Sequence, residues 1–230
     1  MHIGLIGGIG PAATEFYYRH LVRAHAARGR SMELTIAHAQ VRDLLQNMND
    51  GAPERQAQIF GHLARRLQAA GAEAVAVTSM AGHFCIRELQ ALSPLPVISA
   101  IPELEAELVR RRVRCVGLLG TRIVMTSRLY GGLSAFDVVL PRGEELEVAH
   151  QDYIAMATVG QASDDQRERL FSIGRALCRE QGAEVVVLAG TDLFLAFEGR
   201  ACDFPTIDSA LVHVDALVRA STRRSAEPLG

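Results

Sequence analysis

Two short apolar runs break abruptly into small and polar residues, and each break precedes a predicted helix. Residues 75–77 lead into 78–83 (TSMAGH), and residues 185–188 lead into 189–192 (AGTD). Continuous apolar runs without alternation are typical of parallel strands that helices cover on both faces. Ligands of open parallel sheets bind outside the carboxyl ends of the strands. The pattern therefore predicts two similar strand ends that share one site.

The same succession of apolar run, turn and helix recurs along the chain. It predicts further strands at residues 3–6, 34–37, 96–101, 113–119 and 137–140. It predicts helices after residue 11, at 54–70 and 86–92, from 102, from 125, at 164–182 and at 209–222, with a loose tail at 223–230. Such alternation in two halves indicates an α/β, doubly wound parallel-sheet fold with an interdomain cleft. We expect one domain at 1–103 plus 205–230 and a second at 104–204.

A glycine-rich loop joins the first predicted strand to the first helix. Residues 4–11 read GLIGGIGP, in which the glycines permit close backbone approach and Pro11 suits the first turn of a helix. The glycine spacing differs from the GxGxxG fingerprint of nicotinamide cofactors. The loop is either an anion or carboxylate site or a tight turn without a ligand. Arg42, after the second strand, is either a bidentate clamp for a carboxylate or an exposed structural arginine.

Composition removes several classes of function. A chain of 230 residues that is 49% hydrophobic can bury a large core, as one domain or as two of about 100 residues. The formal net charge of −2 predicts no nucleic-acid partner. Lysine is absent from the sequence, so neither a lysine Schiff base nor a P-loop lysine is available.

The four cysteines form no C-x-x-C pair, which argues against a zinc site and against a disulfide framework. We expect Cys85, Cys115 and Cys178 in the core and Cys202 in a loop, with access to the cleft as its minor alternative. The sequence shows no signal-peptide pattern and no run of about 18 apolar residues, so we predict no membrane partner, no metal and a cytoplasmic protein.

Residues 4–14 (GLIGGIGPAAT) resemble the N-terminal signature of the aspartate/glutamate racemase family. Further segments resemble the family in the same order along the chain: 118–121 (LLGT) with Met125 and Tyr130, 188–193 (LAGTDL), and 204–208 (FPTID) with His213. The resemblance implies two Rossmann-like domains and a small-molecule carboxylate or amino acid bound between them. It also implies that no cofactor is needed and that the protein is a homodimer.

The family places one cysteine after each of the two strands, in patterns like P-C-N-T-A-H and G-C-T-E. One thiolate removes the α-proton and the other thiol returns a proton to the opposite face. Here Ser79 and Gly190 stand at the two cysteine positions. The resemblance implies catalytic roles for Ser79, His83, Thr191 and Asp192. We also predict substrate contacts for Gly8, Met80, Ala81, Gly82, Thr121 and Gly190, and for Arg42 because it follows a predicted strand.

These two replacements exclude symmetric two-thiol chemistry. A thiol titrates near pH 8.5 and is readily activated, whereas a serine hydroxyl needs an adjacent base and a glycine transfers nothing. The sequence is still compatible with one-base chemistry, in which His83 or Asp192 is the base and Ser79 and backbone amides hold an enolate oxyanion. It is also compatible with binding or sensing without turnover, and with lyase or decarboxylase chemistry. His83 as a structural histidine and Ser79 as a helix N-cap are the non-catalytic alternatives.

Overall fold

The structure, a computed structural model, describes residues 1–223 and divides into two units. The first unit comprises Met1–Ala100 and the chain from His213 onward, and the second comprises Ile101–Val212. Both boundaries lie within helices. From residue 224 on, the tail that the sequence predicts to be loose lies outside the described residues.

The first unit contains a parallel sheet of three described strands, β1 (Ile3–Gly7), β2 (Leu34–His38) and β3 (Ala74–Val77), in the order β2-β1-β3. All residues of β1 and β3 are buried, as their continuous apolar runs predict. The register places Ile6 beside Val77 on one side and Ala37 on the other. The carboxyl ends of the three strands therefore lie along one edge of the sheet.

Helices cover this first sheet: α1 (Pro11–Ala27), α2 (Val41–Asn49), α3 (Pro53–Ala69), a 3-10 helix (Ala81–Cys85) and α4 (Ile86–Leu92). In α3 the side chains of Phe60, Ala64 and Leu67 recur at helical spacing and join the buried core cluster. The sequence analysis missed α2, because its asparagines and aspartates are more typical of loops than of helix interiors.

The second unit contains β4 (Cys115–Leu119), β5 (Asp137–Val139), β6 (Val185–Leu188) and β7 (Thr206–Asp208), all parallel, in the order β5-β4-β6-β7. Its helices are α5 (Ala100–Arg110), α6 (Arg122–Thr126), α7 (Glu144–Val159), α8 (Asp164–Arg179), α9 (Phe194–Phe197) and the start of α10 (Ser209–Arg223). The register places Leu119 beside Leu188 and Leu188 beside Asp208. The residues after β4, β6 and β7 therefore share one edge.

The strand predicted at residues 96–101 is wrong. Val97 forms a single bridge to Val75, supported by the hydrogen bonds from Val75 N–H to the Pro96 carbonyl and from Ile98 N–H to the Val75 carbonyl. Proline at 96 has no N–H to extend a ladder, and α5 already begins at Ala100. The pairing is therefore too short to count as a strand.

The helix predicted from residue 125 is also wrong in its position. The helix is α6, which starts directly after Thr121 and ends at Thr126. Arg128, Leu129 and Tyr130 follow in left-handed conformations, with φ of 51°, 55° and 56°. Leu129 is fully buried, so its apolar side chain supports a packed turn and not a helix face.

Within residues 1–223, no helix is long and apolar enough to cross a membrane.

Candidate functional site

Ser79 follows β3 and closes the first turn of the 3-10 helix. Its Oγ accepts a hydrogen bond from the Gly82 N–H at 3.3 Å, and the side chain is buried. Met80 and Ala81 lie on the same turn, Met80 buried and Ala81 half-buried. A Cβ on Gly82 would lie 2.8 Å from Val77 Cγ1, so this position has no room for a side chain. The Ser79 hydroxyl keeps one proton that it can donate.

Both ring nitrogens of His83 bind backbone groups. Nε2 lies 3.1 Å from the Ala100 N–H, which can only donate, so Nε2 is the acceptor. Nδ1 therefore carries the proton and donates it to the Ser79 carbonyl at 2.8 Å. Burial lowers the pKa of His83 to about 4. The neutral ring connects the turn after β3 with the start of α5, and its lone pair is already used.

A second buried histidine lies beside the first. The ring of His213 meets that of His83 edge to face, with 6.0 Å between centroids. His213 Nε2 donates to the Ile98 carbonyl and Nδ1 accepts from the Tyr17 hydroxyl, both at 2.9 Å. Burial, together with the neighbouring His83, lowers the pKa of His213 to about 3. The two rings form a neutral, fully hydrogen-bonded core cluster in the first unit.

The glycine loop after β1 is tied to its own helix. The Gly8 N–H donates to Thr14 Oγ1 at 2.9 Å, and this hydroxyl lies 3.3 Å from that of Thr78. Gly8 has a φ of 87°, and a Cβ there would lie 2.4 Å from His38 Nδ1. The glycine is thus required by a positive φ and by close packing. A ligand contact through the Gly8 amide stays a prediction.

Arg42 lies exposed near the start of α2, which follows β2. Neither an ion pair nor a hydrogen bond engages its guanidinium among the described residues. The exposure fits the structural alternative, and the guanidinium is also available to a carboxylate. Its role as a substrate clamp stays a prediction.

In the second unit, Thr121 follows β4 and Thr191 lies shortly after β6, and these two strands are neighbours. Thr121 is 7% exposed and Thr191 2%, and neither Oγ1 has a hydrogen-bond partner within the described part of the chain. Two other buried atoms, Gln56 Nε2 and Arg167 Nε, are also unpartnered, but their side chains form hydrogen bonds through other atoms. Among residues 1–223, the two threonines are thus the buried side chains whose whole polar group lacks a hydrogen-bond partner.

Asp192 lies next to Thr191 and binds a tyrosine of α7. Tyr153 donates from its hydroxyl to Asp192 Oδ2 at 3.0 Å, and both side chains are buried. Burial and the nearby carboxylate raise the pKa of Tyr153 well above its usual value. Thr191 Oγ1 lies close enough to lower the pKa of Tyr153 slightly, yet it has no partner in hydrogen-bond geometry. The phenol therefore remains a proton-bearing donor to Asp192.

The cysteines offer no thiolate at ordinary pH. Burial raises the pKa of Cys85 to about 12, and the Cys85 thiol donates to the Gly82 carbonyl. Desolvation also raises the pKa of Cys115, Cys178 and Cys202, which are half-buried. Within residues 1–223, no three His, Cys, Asp or Glu side chains gather into a metal site.

The sequence analysis missed Tyr153. The signal was present, because Ala149, Tyr153 and Met156 recur at helical spacing and all are buried in α7. Spacing alone marks such a tyrosine as a core residue and does not show which strand end its hydroxyl reaches.

Residues 6–217 match the Asp/Glu/Hydantoin racemase family. The fold is similar to that of a candidate Asp/Glu racemase from Yersinia pestis, with a TM-score of 0.84 and 23% identity over 97% of this chain and 100% of the other. The fold is also similar to that of an aspartate racemase homologue from Pyrococcus horikoshii OT3, with a TM-score of 0.80 and 26% identity. This match covers 96% of this chain and 99% of the other. A liganded double mutant of arylmalonate decarboxylase has a similar fold, with a TM-score of 0.57 and 16% identity. This match covers 96% of this chain and 92% of the other. The two parallel sheets and the family match lead to one conclusion: this chain belongs to the Asp/Glu/Hydantoin racemase family.

Proposed function

We propose that the chain binds a small amino acid or carboxylic acid at the carboxyl ends of β4 and β6. The observation that carries this proposal is the pair of buried, unpartnered hydroxyls of Thr121 and Thr191. A buried donor without a partner costs about 1–3 kcal/mol. A carboxylate presents lone pairs to both hydroxyls, and hydrogen bonds to a charged acceptor are the stronger kind.

The proposed chemistry is cofactor-independent proton exchange at the α-carbon, with Asp192 as the single base. Its carboxylate lies at the same strand end as the two hydroxyls and is held by the Tyr153 hydroxyl. His83 is a weaker candidate, because both of its nitrogens bind backbone groups. Ser79 retains a donor proton, and a role for its hydroxyl in the chemistry stays a prediction.

A single base predicts a distinctive outcome. Asp192 removes and returns the α-proton on one face, so the hydrogen exchanges with solvent while the configuration is kept. Two-thiol racemisation needs a second acid on the opposite face, and both cysteine positions are occupied by other residues. We therefore expect α-deuteration in D₂O without accumulation of the enantiomer.

Two alternatives are supported by specific observations. Binding without turnover is favoured by the absence of both thiols and by the engaged ring of His83. Decarboxylation through an enediolate needs one proton donor, and arylmalonate decarboxylase has a similar fold. Both alternatives use the same carboxylate site.

The test is incubation of the purified protein in D₂O with aspartate, glutamate and substituted malonates, followed by NMR and chiral chromatography. Exchange with retention supports one-base chemistry, and loss of substrate supports a decarboxylase. Binding by calorimetry without either reaction supports a binding protein. Failure of every mono- and dicarboxylate to bind, or equal binding of the matching neutral amides, contradicts the carboxylate site.

Variants separate binding from chemistry. Thr121→Val with Thr191→Val should abolish carboxylate binding, whereas Asp192→Asn should retain binding and lower exchange by about 10²- to 10⁴-fold. Thr158→Val is the matched control, because Thr158 is an exposed threonine whose hydroxyl donates to the Ile154 carbonyl. The control should bind and exchange like the wild type.

We also propose, from the family resemblance, that the protein is a cytoplasmic homodimer of two-domain subunits divided near residues 103 and 204. Light scattering should give twice the subunit mass of 24.9 kDa. Cell fractionation tests the compartment, and limited proteolysis tests the domain division.

A further inference from the structure

The absence of a side chain at position 190 has a local steric cause. A Cβ on Gly190 would lie 2.3 Å from Cε2 of Tyr153, with two more ring carbons at 3.0 and 3.1 Å. Real Cβ atoms do not approach ring carbons so closely. The phenol ring thus fills the space into which a residue 190 side chain would extend.

The backbone of Gly190 does not itself require glycine. Glycines of the described chain with positive φ include Gly8 and Gly10, but Gly190 is not among them. Another residue is therefore compatible with its conformation, and the ring of Tyr153 is the obstacle. The two positions are therefore coupled: the ring of Tyr153 fits in its observed place only because residue 190 has no side chain.

The hydroxyl of the same tyrosine reaches Asp192. It donates to Oδ2 at 3.0 Å and lies 3.5 Å from the Asp192 backbone nitrogen. The phenol stays protonated, so its hydroxyl donates to Oδ2 and holds this oxygen in place. One side chain thus covers residue 190 and orients residue 192.

The ring is held in place by α7. Its neighbour Asp152 is buried and forms a bidentate ion pair with Arg169 of α8, at 2.8 and 2.7 Å. Ala149 and Met156 on the same helix are also buried. A bidentate pair and a packed face together restrict rotation and sliding of the helix.

We propose that Tyr153 is the positioning residue of this strand end, filling the space beside Gly190 and fixing the Asp192 carboxyl group through the hydrogen bond from its hydroxyl. The role of Asp192 as the base rests on the proposed function, whereas the effect of Tyr153 on its carboxylate does not. Tyr153 acts through Asp192, and the proton balance of the reaction is unchanged because the phenol keeps its proton.

The first experiment measures the Asp192 carboxyl directly. Protein labelled with ¹³C at the aspartate carboxyl carbons is titrated as wild type and as Tyr153→Phe, and the Asp192 signal is assigned by its loss in Asp192→Asn. Removing one hydrogen bond to the charged form should raise the apparent pKa of Asp192 by about one to two pH units. An unchanged Asp192 midpoint in Tyr153→Phe overturns the proposal.

The second experiment tests the steric pairing by thermal unfolding. Gly190→Ala should lower Tm by about 3–10 °C, and the same change in a Tyr153→Ala background should lower it by much less. Gly61→Ala is the control, because a Cβ there would meet its nearest atom at 3.7 Å. Equal losses from Gly190→Ala in both backgrounds contradict the pairing.

The two proposals fail separately. If no carboxylate binds, the proposed function is wrong. The titration of Asp192 and the thermal unfolding of Gly190→Ala in the two backgrounds still decide the role of Tyr153. If exchange occurs, its pH profile in Tyr153→Phe should shift upward with the Asp192 midpoint. A lower kcat with an unshifted profile contradicts positioning through Asp192.

Discussion

The strand end after β3 and the strand ends after β4 and β6 look alike in sequence but differ in hydrogen bonding. In the first unit, Ser79 Oγ and both nitrogens of His83 bind backbone groups. In the second unit, the hydroxyls of Thr121 and Thr191 bind nothing among the described residues. Polar residues after a buried strand therefore have two different roles. One set completes the local fold, and the other leaves donors that a ligand can satisfy.

The largest expected difference between the units is their response to acid. Unfolded histidines bind protons below about pH 6.5, whereas folded His83 does so only near 4 and His213 near 3. The unfolded state binds more protons in this window, so stability falls as pH falls. For His83 alone the loss by pH 4 is about 3 kcal/mol. Urea unfolding between pH 7 and 4 measures it.

Asp208, in the second unit, should respond in the opposite direction. Burial raises its pKa to about 6, so the folded state binds a proton before the unfolded state does. Its contribution to stability therefore rises as pH falls from 6 toward 3.8. Amide hydrogen exchange, corrected for the intrinsic exchange rates, should show that amides of the first unit lose protection before those of the second as the pH falls. Simultaneous loss in both units would remove this contrast.

The next largest effect is the difference in stability cost between a cysteine placed at position 190 and one placed at position 79. Gly190→Cys meets the ring of Tyr153 and should cost about 1–3 kcal/mol, whereas Ser79→Cys nearly preserves shape and should cost less than about 1 kcal/mol. Thermal unfolding of the two single variants measures both. Equal losses would mean that the ring moves away at little cost.

The two changes Ser79→Cys and Gly190→Cys also test racemase activity. Wild-type protein should show no racemisation of aspartate or glutamate, and the double variant should remain inactive until Tyr153→Ala is added. Chiral chromatography measures this. Robust racemisation by the wild type would contradict the one-base proposal, and alanine changes at His83, Asp192 and Cys202 would identify the responsible group.

A smaller effect concerns the threonines themselves. Thr191→Val removes an unpaired hydroxyl and should stabilise the ligand-free protein by about 1 kcal/mol. Thr14→Val removes the acceptor of the Gly8 N–H and should destabilise by about the same amount. Urea unfolding gives both values, and effects of equal sign would contradict the distinction between the two strand ends.

The smallest effect is that of Ser79→Ala. Loss of the acceptor for the Gly82 N–H, a contact at the long distance of 3.3 Å, should cost about 0.5–1 kcal/mol. Exchange at the α-carbon is measured in the same variant. A large loss of exchange with little loss of stability would assign Ser79 to the chemistry and not to the turn.

The sequence predicted the features that depend on local pattern. The buried runs of β3 and β6 were predicted correctly, because a strand covered on both faces needs apolar side chains throughout. The strand at 96–101 was not, because strand pairing depends on a neighbour that the local pattern does not contain. The assignments of Arg42 and Gly8 as ligand contacts stay predictions.

The α/β alternation, the family motifs and the absence of cysteine at positions 79 and 190 can be read directly from residues that are adjacent in the chain. What the residues at these two positions do depends on contacts that form only in the folded protein. The lone pair of His83 is occupied by an amide 17 residues away, and Tyr17 reaches His213 across 196 residues. The tyrosine that fills the space beside Gly190 donates to a carboxylate 39 residues distant. Hydrogen bonds and steric overlap act over a few ångströms, so the fold must first bring such residues together.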